Sequence, residues 1–168
     1  MILYHGSKEI GNSNWNCPFI VLIMQFFLTY TDFYTTTSFE QAKKWAKNRI
    51  GRTNSNCGYV SVFEYNQNNS KNLKVKTFDK ANREWLEFVV SNRQGVAKLN
   101  SYDIHIGPVA NDNVYQTIKL FESGLYDIDY TLKRLKTEVL QDQWTFHTLK
   151  SLSCLSFVKS IKIARDDV

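Results

Sequence analysis

The stretch Asp32-Phe33-Tyr34-Thr35-Thr36-Thr37-Ser38-Phe39-Glu40-Gln41-Ala42-Lys43-Lys44-Trp45-Ala46 decides the fold class, because two periodicities meet inside it. Its first part, with Thr29-Tyr30-Thr31 ahead of it, is β-branched and aromatic and reads as a strand. From Ser38 the pattern turns helical. Phe39, Ala42, Trp45 and Ala46 recur at three- and four-residue spacing, with Lys43, Lys44 and Lys47 between them. Thr37 or Ser38 can cap the start, and Gln41 stands three residues after Ser38, close to a capping box. The helix is expected to reach about Asn48 and to stop near Gly51.

Toward the N-terminus, Ile2-Leu3-Tyr4 is a short apolar run that leads into His5-Gly6-Ser7. This is a strand ending in an imidazole, an open piece of backbone and a small donor. Glycine admits a ligand close to the main chain, since no side chain stands in the way. The same residues read equally as a strand and turn capped by His5. Between these two segments lies Phe19–Leu28 (FIVLIMQFFL), apolar but ten residues long and interrupted by Gln25. A membrane span takes about 20 residues, so a buried strand or core helix is expected there.

Toward the C-terminus, Tyr59–Tyr65 reads as a strand, Asn66–Asn72 as a polar turn and Leu73–Val75 as a short strand. A helix over Asn82–Asn92 holds Trp85, Leu86, Phe88 and Val89 inside. Tyr102–Ile106 alternates and meets a stop at Gly107-Pro108; His105 faces away from Ile104 and Ile106 and is assigned a structural role. Helices capped by Asp112 and Asp127 follow, the first ended by Gly124. Then come a strand over Gln143–Thr148, a short helix from Leu149 and a last strand over Phe157–Ile163. Strict strand–helix alternation is absent, which favours α+β over a doubly wound sheet. One domain over residues 1–168 is expected, a length able to bury a proper core.

Composition narrows the function classes. Hydrophobic residues make up 43% and aromatics 14%, against disorder. A net charge of +5 fits an anionic ligand or an acidic partner without being a nucleic-acid-binding composition in itself. Three cysteines at long spacings, Cys17, Cys57 and Cys154, predict neither a zinc site nor a disulfide framework, hence no metal and a reducing, cytoplasmic setting. The N-terminus lacks a basic leader-like region, and no membrane association is expected.

The segments LYHGSKEI, DFYTTTSFEQAKKWAKNR, REWLEFVVSNR, YDIHIGPVANDNVYQTI and QDQWTFHT, in that order, resemble the ADP-ribosyltransferase superfamily. More narrowly they resemble the small bacterial domain of unknown function 3990. The resemblance implies a split β-sheet, two packed and mostly antiparallel sheets with flanking helices, and NAD as the substrate held in the cleft. It implies transfer of ADP-ribose to a protein or nucleic-acid acceptor with release of nicotinamide, in a protein that pairs with an antitoxin. By the same resemblance His5 would bond a ribose hydroxyl and Gly6, beside Ser7, would offer backbone to the nicotinamide amide. Tyr34, with Thr35, would close the nicotinamide pocket. Trp45, eleven positions after Tyr34, would stack on nicotinamide. Gln143 would occupy the place of the catalytic glutamate.

These positions also have plain structural readings: Tyr34 and Trp45 as core aromatics, Gln143 as a solvated strand residue. His147, in Phe146-His147-Thr148, reads either as a second functional histidine or as a core or capping residue. Cleaving the nicotinamide–ribose bond builds positive charge on the sugar. A glutamine can bond a ribose hydroxyl but supplies neither a full negative charge nor a base. Glu84, Glu138 and Asp142 are other carboxylates that sequence spacing does not bring to the site. A catalytically inactive relative that binds a nucleotide or a partner protein is therefore the alternative. An unrelated α+β interaction module is the third reading. Relatives carry Gly-x-Gly before Phe-Tyr-Thr-Thr, where this chain has Thr29-Tyr30-Thr31-Asp32. A compensated frameshift over about Gly11–Thr31 would produce this; reading the coding DNA in its other frames should then uncover a Gly-x-Gly-Phe-like segment.

Overall fold

A computed structural model describes residues 1–8, 32–52, 56–94, 102–109, 112–136 and 140–164. The apolar run at 19–28, the segment 29–31 and the proposed frameshift region lie outside the described residues, as does Glu138.

The described chain is mixed α+β, built on two sheets. In chain order the strands are β1 (Ile2–Lys8), β2 (Phe33–Thr35), β3 (Cys57–Tyr65), β4 (Val75–Thr77), β5 (Ile104–Pro108), β6 (Asp142–Phe146) and β7 (Leu155–Ala164). The helices are α1 (Phe39–Arg52), α2 (Arg83–Arg93), α3 (Asp112–Glu122), α4 (Ile128–Leu135) and α5 (Leu149–Leu152). One sheet is antiparallel, in the order β1-β3-β7; the other runs β2-β6-β5-β4 and is antiparallel except for its β4–β5 pair. Among the described residues one β-bridge joins the two sheets, where Tyr4 and Thr36 exchange backbone hydrogen bonds of 2.8 and 3.0 Å.

Element boundaries moved where tertiary pairing overrode local signals. Helix α1 runs past Asn48 to Arg52, through Gly51. The short strand expected at Leu73–Val75 starts instead at Val75, where β4 finds its register on β5. Gly107-Pro108 does not stop β5: Gly107 pairs with Gln143 and Pro108 with Asp142. Pro108 is tolerated as the strand's last residue, and its carbonyl receives the Trp85 indole N–H at 3.1 Å. Asp127 caps α4 as expected, and Asn82, expected inside the helix, caps α2; they accept from the N–H of Tyr130 and Trp85. Gly124 takes the left-handed conformation, φ 75°, just past α3.

The core has three parts, each set by a period-two or period-3.6 face. Leu3, Phe33, Phe63, Tyr65, Ile104 and Phe146 meet between the sheets. Trp85, Leu86, Val114, Ile118 and Leu135 hold α2, α3 and α4 together. Ala42 and Ala46 of α1 lie on Val60 and Ile163, on the outer side of the three-stranded sheet. This last contact explains Gly6. A Cβ built there would sit 2.1 Å from the Ala42 carbonyl oxygen and 2.8 Å from the Ala46 nitrogen, so the bare glycine lets the helix backbone lie directly on β1. The obstructing atoms are backbone and cannot rotate away.

Gly6→Ala is therefore expected to push α1 off the sheet and to destabilise the protein by about 1–3 kcal/mol. Gly51→Ala, where a new Cβ meets nothing within 4 Å, is expected to be neutral or mildly stabilising. Urea unfolding of the two variants beside the wild type checks both.

Candidate functional site

The site follows from the alternation of the second sheet. In β2, Phe33 and Thr35 are buried toward the core, which turns Tyr34 to the other face. In β6, Phe146 is likewise in the core, so Gln143, Thr145 and the following His147 face away from it. In β5, Ile104 is in the core and His105 is turned outward. The register completes the pattern, since Thr145 pairs with Tyr34 on one side and with His105 on the other. A continuous row of polar side chains thus runs across the face of the sheet that points away from β1.

Helix α2 stands over this row and makes it a cleft of about 450 Å³. Trp85, Phe88, Val89 and Arg93 form its far wall. The Trp85–Pro108 hydrogen bond and an ion pair between Lys76 of β4 and Glu84 of α2 fix that wall to the sheet. A volume of this size suits a small ligand, and aromatic and apolar walls facing convergent polar groups are the usual composition of such sites.

The polar groups are wired together. The Asp32 carboxylate accepts from His147 Nδ1 at 2.6 Å and from the Tyr34 hydroxyl at 3.2 Å. His147 Nε2 lies 2.5 Å from His105 Nδ1. The Gln143 side-chain amide donates to Thr145 Oγ1 at 3.2 Å. Burial alone would raise the Asp32 carboxyl, but the hydrogen bond and charge of His147, with the Tyr34 hydroxyl, hold it below the ordinary carboxylate range. Burial, then the Asp32 charge, pushes the Tyr34 phenol up, so it stays a donor. Among the described residues no cluster of histidine, cysteine and carboxylate could hold a metal ion. The two histidines and Asp32 bond end to end instead of converging on one point.

The residues singled out in the sequence fall into two groups. Tyr34 and Gln143 line the cleft. His5, Gly6, Ser7, Thr35 and Trp45 do not belong to its lining. His5 lies one layer behind, stacked on Phe33 at 4.6 Å, with Nδ1 donating to the Tyr34 carbonyl at 2.6 Å. Gly6 is packed beneath α1, and Trp45 is half-buried on that helix with its Cβ beside Gly6. Thr35 is fully buried, and the Ser7 hydroxyl is buried as well. Asp142 is a structural carboxylate: it accepts from the hydroxyls of Thr36 and Thr37, the Thr37 N–H and the Trp144 indole. Asp32 and the aromatic wall carried no sequence signal. His105 carried one, since alternation turns it away from Ile104 and Ile106, a signal read as structural where that face is the floor of a cleft; for His147 the sequence leaves a functional role open beside a core or capping one.

Burial pushes the imidazoles of both His5 and His105 down to about 4, so the folded protein keeps them neutral. A proton on His147 would add to the effect at His105. In the unfolded chain both titrate near 6.5. Between about pH 6.5 and about pH 4 the unfolded state therefore binds more protons, and stability falls as pH falls. The slope is at most about 1.4 kcal/mol per pH unit for each histidine. Asp32 acts in the same direction at lower pH, its contribution disappearing once the carboxyl is protonated. Urea midpoints measured across this range should decline on acidification, and His5→Gln, which can still donate to the Tyr34 carbonyl but does not titrate, should flatten the decline.

No described helix is long and apolar enough to cross a membrane. Neither the curated proteins nor the solved structures include a significant match to the chain. The family model for a protein of unknown function, DUF3990, matches residues 1–157. With nearly the whole chain covered, this protein belongs to the DUF3990 family.

Proposed function

We propose that this protein is a cytoplasmic, NAD-dependent ADP-ribosyltransferase-like protein with the split-sheet fold of that superfamily, which transfers ADP-ribose to a protein or nucleic-acid acceptor and releases nicotinamide. The observation that carries the reading is convergence. Tyr34 and Gln143 come from distant segments, yet they line one cleft with aromatic walls. His5 bonds the Tyr34 backbone directly behind them. In this reading the Tyr34 ring grips nicotinamide. The Gln143 amide nitrogen is turned to Thr145, which leaves its carbonyl oxygen to bond a ribose hydroxyl. His5 acts through Tyr34 as a positioning residue. The net charge of +5 suits an anionic dinucleotide and an acidic antitoxin partner.

One observation favours binding without turnover. The described lining of the cleft includes a single carboxylate, Asp32, and His147 and Tyr34 already occupy it. Nothing else there offers a negative charge to the developing oxocarbenium ion. On this second reading the protein holds a nucleotide or a partner without cleaving NAD.

Calorimetry with NAD should show binding, and Tyr34→Ala should weaken it about tenfold, the scale of one lost ring stack. Absence of binding by the wild type would end the transferase reading and the nucleotide-binding form of the second. Nicotinamide release separates them: turnover by the wild type, lowered in His5→Ala, supports the transferase. Release that emerges only in Gln143→Glu selects the binding protein.

A further inference from the structure

We propose that Asp32, His147 and His105 form a hydrogen-bonded chain that makes His105 Nε2 the free acceptor of the cleft, a subsite for a flat, neutral ring carrying an O–H or N–H group. This goes beyond the NAD reading and needs only the cleft.

An ionised carboxylate only accepts, so His147 Nδ1 carries the proton of the 2.6 Å bond. In the proposed chain this is the one ring proton of His147, which leaves its Nε2 bare. That nitrogen can only accept, so His105 Nδ1 carries the proton of the 2.5 Å bond. A neutral His105 is left with a bare Nε2. Burial keeps His105 neutral, as described above. Its side chain is 6 % exposed, and Nε2 is buried with no hydrogen-bond partner. A buried acceptor left unmade is costly, and a ligand donor would remove that cost.

The surroundings specify the rest of the ligand. The Phe88 ring is 4.5 Å from the imidazole and the Tyr102 ring 5.2 Å. Trp85 and Phe78 continue the apolar lining. In this proposal a flat ring reaches Nε2 by displacing one of the two rings packed on His105, and Tyr102, 37 % exposed, is the more exposed of the two. The charged and titratable groups nearby are Asp32, Tyr34 and Arg93 in the lining, with Lys76 of β4 behind, itself paired with Glu84. Arg93 disfavours a positively charged donor, and the only carboxylate in the described lining is already engaged. A neutral O–H or N–H is what remains.

Phenol and anisole test this, since they share a ring and a size and differ in the donor. In the ¹⁵N-labelled protein at neutral pH, His105 Nε2 should give the signal of an unprotonated nitrogen. Phenol should shift that signal and bind about tenfold tighter than anisole, the scale of one hydrogen bond to a buried acceptor. In His147→Leu, which releases the tautomer lock, the preference for phenol should shrink. The wild-type comparison stands without this variant, should it fold poorly. Equal binding of the two rings, binding of neither, or an Nε2 that bears a proton at neutral pH overturns the assignment. NAD affinity is unaffected by these outcomes, so the two readings fail separately.

Discussion

The joint at Thr36 holds the two sheets together. Its backbone makes the β-bridge to Tyr4, and its hydroxyl donates to Asp142 at 3.0 Å. Asp142 also takes the Thr37 N–H and hydroxyl and the Trp144 indole N–H. One carboxylate thereby ties the end of β2, the entry to α1 and the start of β6. Hydrogen bonds to a charged acceptor are worth about 1.5–3 kcal/mol each. An exposed pair such as Arg83–Glu87, at 3.9 Å, adds about 0–1 kcal/mol. The joint is thus the stronger determinant of how the sheets meet, and the position of Tyr34 over the cleft follows from it.

Two demands are met at once on the short strand β2. Phe33 and Thr35 face the core, while Tyr34 faces the cleft. His5 supports both sides: its ring stacks on Phe33, and its Nδ1 holds the Tyr34 carbonyl. A neutral imidazole does this without an unpaired charge in the core. The cost falls under acid conditions, where the unfolded chain gains protons that the folded one refuses.

Much of this architecture was legible in the sequence, because it rests on local periodicity. The switch at Ser38 gave α1, Asp127 gave a cap, and the runs Tyr102–Ile106 and Gln143–Thr148 gave two strands of the second sheet. The site was less legible. Alternation in β5 and β6 turned His105 and His147 to the same side as Gln143, but only the register that places Thr145 between Tyr34 and His105 brings them into one row. Register is a long-range quantity, set by which strands pair, and no window of sequence contains it. The role of Gly6 shows the same limit. A glycine after a histidine reads as room for a ligand, whereas here the room is filled by the backbone of α1.

The parallel pairing of β4 with β5, alone in its sheet, has a mechanical meaning. Parallel neighbours need a crossover, and the helix on that crossover is α2. The far wall of the cleft is therefore strung between two adjacent strands of its own floor, and its indole is bonded to the end of one of them. Floor and wall belong to one β–α–β unit, unlike a cleft between two separate lobes. The spacing of wall and floor is thus set by how one helix packs on the strands that flank it in the chain.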